Sequence, residues 1–293
     1  MSNRATAISY GGATIINAIA TGKGAAFGVK LWTKAEVKLT DDPHVIRGEI
    51  TSDPSESTTL IEKTVKKVLK HFRLAEKFGA EVKTWSNIPI ARGLKSSSVA
   101  ANAIALATVA ALQKEVDDLT IINLGVEGAL EAKVTVTGAF DDACASYFGG
   151  IVVTDNFKRR IIKRFRAPEN LKVLFHIPKT KVYTSSIKVE KLKIISPLIE
   201  IAYKEALKGN FWHALTLNGL TYSFTLGYDP SIALDALTAG AVAAGLCGKG
   251  PAVTAVVAED KVDQVKEALI KYEGEVIETE MNHEKAKILE VFP

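Results

Sequence analysis

The chain has 293 residues, 47% of them hydrophobic and 24% charged, which is ordinary globular usage and excludes collagen-like, coiled-coil and disordered classes. Aromatic residues make up only 7%, so the core must rest on Ala, Val, Ile and Leu. The formal net charge of +4 is uneven: Lys158 to Lys193 holds 12 Lys or Arg against two acids, which leaves the remainder acidic.

In chain order, the first 50 residues read as short strands at Ala5–Ser9, Ala25–Val29, Ala35–Leu39 and Val45–Gly48, separated by Gly-rich turns and Asp41-Asp42-Pro43. The opening MSNRATAISYGG lacks the apolar stretch of a signal peptide. Thr58–Arg73 places Leu60, Ile61, Val65, Val68, Leu69 and Phe72 at a helical period, and Glu81–Ser86 alternates as a strand. Ser98–Leu112 predicts a helix apolar on nearly every side and therefore buried; it contains Asn102 and is too short to span a bilayer. Leu119–Ala132 is a further helix and Gly150–Thr154 a strand. The basic FKRRIIKRFR run that follows suits an exposed strand, a small anion or nucleic acid, and no zinc-finger or RNA-recognition signature supports the last.

Ala167-Pro168-Glu169-Asn170 marks a boundary, dividing the chain into 1–165 and 166–293. Beyond it come a strand at Lys172–His176, helices at Pro197–Leu207, Trp212–Leu226 and Ile232–Ala239, and a strand at Ala252–Ala258. A helix at Val262–Tyr272 and closing strands at Glu275–Thr279 and Ala286–Glu290 complete the chain. Strands and helices mix without strict alternation, which predicts an α+β fold. Cys144 and Cys247 show no CxxC spacing and read as reduced thiols of a cytoplasmic protein.

Three segments carry chemistry. Ile88-Pro89-Ile90-Ala91-Arg92-Gly93-Leu94-Lys95-Ser96-Ser97-Ser98 runs from a strand end into the small-residue helix. A helix N-terminus offers unpaired N–H groups to an anion, Gly93 permits close backbone approach, and the serines can cap, touch phosphate or ligate Mg²⁺. The segment is no Walker A loop, because Leu94 separates Gly93 from Lys95. Thr137-Gly138-Ala139-Phe140-Asp141-Asp142-Ala143-Cys144-Ala145-Ser146 opens a helix with two acids, which serve equally as N-terminal capping charges or as a carboxylate on a substrate hydroxyl. Gly245-Leu246-Cys247-Gly248-Lys249-Gly250-Pro251-Ala252 is a tight turn or a backbone cover for phosphates. The five histidines lack metal-ligand spacing, and neither a GxSxG elbow nor a Rossmann GxGxxG is present.

Together these segments resemble the three motif regions of the GHMP small-molecule kinases, and GLKSSS with TGAFDDACAS is similar to the archaeal-type shikimate kinase branch. The likeness runs from Asn17-Ala18-Ile19-Ala20-Thr21-Gly22-Lys23-Gly24 to CGKGP, while Tyr10-Gly11-Gly12-Ala13-Thr14 stands where the superfamily has its first motif. The resemblance implies an N-terminal lobe like ribosomal S5 domain 2 and a ferredoxin-like C-terminal lobe. It implies ATP, with phosphates over Pro89, Ile90, Ala91, Arg92, Gly93, Leu94, Lys95, Ser96, Ser97 and Ser98. Mg²⁺ would be held by Ser97 or Ser98 together with Glu131, or Glu127 one turn earlier. Asp141 matches the family's catalytic aspartate, with Asp142 as the alternative, and Lys95 would neutralise charge on the transferred phosphoryl group. Shikimate carries a carboxylate, for which Arg92, Lys249 and the 158–166 cluster are candidate partners. Another acceptor such as homoserine, or a non-catalytic sensor on the same scaffold, are the competing expectations; no nucleic-acid or membrane partner is expected.

Overall fold

Two sheets organise the chain, and the computed structural model describes residues 3–179 and 192–292. β1 (Arg4–Ile16) and β2 (Lys23–Thr40) form a long antiparallel pair, Arg4 opposite Lys38 and Ile16 opposite Ala25, with a register shift at Tyr10/Gly11. β2 is long enough to serve two partners: its first half pairs with β5 (Ile151–Asp155) and its second with β4 (Gly79–Ser86). β3 (Ile46–Ile50) lies parallel to β4, joined through helix α1 (Thr59–His71). The short basic strand β6 (Arg160–Phe165) extends β5, and β11 (Lys287–Phe292) returns from the C-terminus to pair with β1.

Helices α2 (Ser96–Ala111) and α4 (Phe140–Phe148) pack on this first sheet, and α3 (Asp118–Glu131) packs on α1, α2 and α4. α2 is the central one: its Ala, Val and Ile side chains are buried on nearly every side, as an all-round apolar helix requires. Asn102 is one of three buried polar residues in it, with Ser98 and Thr108. Its Nδ2 donates to the Ala143 carbonyl at 2.8 Å and to Ser146 Oγ at 2.7 Å, tying α2 to α4 without leaving those α4 acceptors dry.

The second sheet is antiparallel in the order β10 (Glu275–Glu280), β7 (Leu171–Ile177), β9 (Val253–Ala258), β8 (Ala243–Leu246). Its two faces follow the two-residue period of a strand. Val173 and Phe175 share a core with α5 (Ser196–Lys208) and α6 (Phe211–Leu226). Leu174 faces α7 (Ser231–Thr238) and α8 (Val262–Ile270). The first of those cores also takes in Ala13, Ile15, Phe27, Leu94 and Val99, so the two sheets share one continuous apolar cluster.

The α+β expectation holds. The short strand expected at Val45–Gly48 is β3, but the other three expected in the first 50 residues belong to two long ones, β1 and β2, because Gly11 and Gly12 continue β1 rather than turn it. β8 carries no strand signal in its Ala-Ala-Gly-Leu sequence and is recruited by pairing with β9.

Candidate active site

The loop between β4 and α2 is bent by backbone conformations that L-residues rarely adopt. Ala91 has φ +57°, Gly93 +90° and Lys95 +64°. A side chain on Gly93 would come within 2.8 Å of the Gly250 carbonyl, and the Ala252 N–H donates to the Arg92 carbonyl at 3.2 Å. The first and third motif segments are therefore pressed together backbone to backbone. Eight described non-glycine residues have positive φ; Ala91, Lys95, Lys133 and Ala139 among them line one cavity of about 470 Å³. Strain of this kind persists where surrounding structure enforces it, and half of it here surrounds a single space.

α2 begins at that cavity. Lys95 is its N-cap with no side-chain cap bond, and Ser96, Ser97 and Ser98 of its first turn line the cavity. The first-turn amides and the positive end of the helix dipole favour an anion there. Ala139 turns the chain into α4, whose first turn brings Asp141 and Asp142 to the same cavity, each almost fully buried.

The two carboxylates are held differently. Lys95 Nζ lies 3.0 Å from Asp142 Oδ2, while Asp142 Oδ1 is buried with no hydrogen-bond partner. Asp141 Oδ1 accepts from Asn156 Nδ2 at 2.7 Å, and Asn156 Oδ1 accepts from Thr154 Oγ1 at 2.7 Å. Asp141 Oδ2 occupies space left by Gly24, where a Cβ would approach within 2.5 Å. Burial, and then the neighbouring Asp142, push the Asp141 carboxyl up to about 7, against the opposing pull of Lys95 and Asn156. Burial works against the Lys95 ammonium, but the acids around it, Asp142 foremost, outweigh that and raise its pKa. Asp142 is thus the partner of a charged lysine, and Asp141 is a carboxyl poised to exchange a proton near neutrality.

Of the residues expected at the phosphates, Ile90, Ala91, Gly93, Lys95, Ser96, Ser97 and Ser98 line the cavity. The structure does not bring Pro89, Arg92 and Leu94 to it. Leu94 is 2% exposed in the shared core, and the Arg92 guanidinium donates to the Pro178 carbonyl. Nor does Glu131 reach it: its carboxylate is 2.6 Å from Lys67 Nζ on α1, and that ammonium holds it below the usual carboxylate range. Glu127 does not line the cavity either; its carboxylate lies 3.0 Å from the Arg159 guanidinium. Asn156 was not singled out by sequence, since an Asn after a strand has no distinctive pattern, and Gly24 entered only as the end of the Asn17–Gly24 likeness, with no role at the site. Ile50, Ser52, Glu56, Thr59, Leu60 and Ile61 also line the cavity, brought there by the end of β3, the start of α1 and the connection between them.

This arrangement defines a class. Residues 59–150, from α1 through α4, match the GHMP kinases N terminal domain. The mevalonate kinase of Methanococcus jannaschii has the same fold, with a TM-score of 0.77 at 19% identity over 94% of this chain and 98% of its own. Full-length relatives place the chain more narrowly. It is 47% identical to a shikimate kinase of Methanosarcina mazei, over 96% of this chain and 95% of that one. It is 43% identical to a shikimate kinase of Methanothermobacter thermautotrophicus, over 97% and 98%. The chain belongs to this shikimate kinase family of the GHMP superfamily.

Proposed function

We propose that the chain transfers the γ-phosphoryl group of ATP to shikimate, giving ADP and 3-phosphoshikimate. The observation that carries this reading is the meeting of the α2 N-terminus, the Lys95–Asp142 pair and Asp141 in one cavity, in a chain with the shikimate kinase pattern along its length. Phosphoryl transfer through a loose transition state asks the protein for positioning and charge stabilisation more than for covalent chemistry. The first-turn amides and the serines of α2 hold the phosphates. Asp141, fixed through Oδ1 by Asn156, orients the acceptor hydroxyl and takes its proton on Oδ2. Lys95, kept charged by Asp142, offsets the negative charge that gathers on the transferred group.

The residues present suit a magnesium ion arriving with the nucleotide. Mg²⁺ takes oxygen ligands and is held by few protein groups besides phosphates. Ser97 and Ser98 line the cavity, and the buried Asp142 Oδ1 lacks a partner. Among the described residues no cluster of three or more His, Cys, Asp or Glu forms a protein-only cage. Ser97 or Ser98 would hold the ion, which neutralises phosphate charge when bound. Identification of the product by phosphorus and proton NMR tests the reading: a single phosphomonoester on C3 of shikimate is expected, and phosphate on another hydroxyl or none overturns it.

A further inference from the structure

Asp141 offers Oδ2 to the acceptor only while its other oxygen is held, and what holds it is an amide with two ends. The Asn156 carboxamide carries an oxygen and a nitrogen of nearly the same size, so packing alone does not decide which of them meets Asp141. With the nitrogen inward, Nδ2 donates to Asp141 Oδ1 at 2.7 Å. Turned over, Asn156 Oδ1 would stand against a carboxylate oxygen, two acceptors with no proton between them. Asn156 is 2% exposed, so bulk water does not repair that arrangement. A fixed donor to the amide oxygen is what excludes it.

Thr154 supplies that donor. It lies on β5 two residues before Asn156, on the same side of the chain, and it is fully buried. Its hydroxyl donates to Asn156 Oδ1 at 2.7 Å. The Gly24 carbonyl is a second acceptor for the same proton, and at 3.3 Å it is the weaker one. The backbone on either side is pinned. The Asn156 N–H donates to the Gly22 carbonyl at 2.8 Å, and Tyr203 Oη on α5 donates to the Thr154 carbonyl at 3.3 Å. Thr154 is also the cross-strand partner of Gly24. One pair of residues thus serves both oxygens of Asp141: Gly24 leaves room for Oδ2, and Thr154 fixes, through Asn156, the group on Oδ1. The strand reads Ile-Val-Val-Thr-Asp, and a third valine would fill the same space; what threonine adds is the hydroxyl.

We infer that Thr154 is a positioning residue for phosphoryl transfer, its hydroxyl setting the orientation of the Asn156 carboxamide and so holding Asp141 with Oδ2 toward the acceptor. The assignment rests on Asp141 being the group that receives the acceptor proton. Thr154 does not itself line the cavity, so loss of its hydroxyl slows the chemical step and leaves substrate binding in place.

The test is steady-state turnover of shikimate with Mg-ATP in a set of variants. T154V, which has the same shape without the hydroxyl, is expected to lower kcat about 10-fold, with KM for ATP and for shikimate within about twofold of wild type. T154S, which keeps the hydroxyl, is expected to return kcat to within about threefold of wild type. Because the hydroxyl acts through Asn156, the same Thr-to-Val change made in N156A is expected to cost less than about twofold. An undiminished loss in the N156A background, a loss in T154S as large as in T154V, or a rise in KM with kcat unchanged overturns the assignment. Should T154V fail to fold, T154A and T154S differ by the hydroxyl alone and carry the same comparison; equal kcat in those two overturns it. Wild-type protein that does not phosphorylate shikimate overturns the reading of the reaction. That outcome is distinct from a T154V protein as fast as wild type, which overturns the role of Thr154 alone.

Discussion

Asp141 and Asp142 are adjacent in sequence but differently held, because Asp142 faces a lysine and Asp141 an amide. Asp141→Asn keeps the oxygen that accepts from Asn156 and removes the proton acceptor, so kcat is expected to fall by about 10²–10⁴-fold with ATP affinity retained, measured by calorimetry. Near-normal turnover would remove Asp141 from the mechanism. Because burial raises this carboxyl to about 7, wild-type kcat should decline as pH falls through that value and the base is protonated. The sign for stability is opposite. A carboxyl raised in the folded state contributes stability that is present at low pH and lost as pH rises through about 7. Asp141→Asn should therefore raise Tm more at pH 8.5 than at pH 5, where Tm moves about 2–4 °C per kcal/mol. Asn156→Ala removes the amide donor that favours the ionised form, so it should move the acid limb of the rate profile to higher pH; an unmoved limb would leave Asn156 a packing residue.

At the scale of elements, the site depends on where α2 and α4 start relative to β2. Asn102→Ala breaks both donations to α4 and is expected to cost about 1–3 kcal/mol, read as a lower urea midpoint with unchanged slope. Gly24→Ala drives a methyl toward the Asp141 carboxylate, 2.5 Å away before any shift, and should cut kcat about 100-fold while leaving KM for ATP near normal. α2 was legible in the sequence because a helix apolar on every side has only one place to go. The Gly/Ser loop before it and the acidic pair at α4 were legible because helix starts carry distinct residue types. The length of β1 and β2 was not. Glycines that look like turns are strand residues here, as at Gly11, where a Cβ would lie 2.8 Å from Val29 Cγ2 and 3.0 Å from Leu31 Cβ. Close approach, not a turn, requires them, and only tertiary packing reveals that. The ion pairs that keep Glu127 and Glu131 from the cavity belong to the packing of α3 against α1 and to Arg159, which spacing along α3 alone does not show.

For the whole molecule, the cavity exists because both sheets contribute to it. The first supplies the loop before α2, Asp141 and Asp142, and the second supplies the Cys247–Pro251 loop that backs Gly93 and carries Lys249. The apolar cluster shared by β1, β2, α2, β7, α5 and α6 holds these two contributions in register. The most direct test of the account is an ADP-release assay with Mg-ATP against shikimate, homoserine, mevalonate and galactose in parallel. Turnover on shikimate, at least about 100-fold above the other three in kcat/KM, is the predicted result. Turnover on homoserine, mevalonate or galactose in its place, or none on any of the four while ATP still binds, would contradict it.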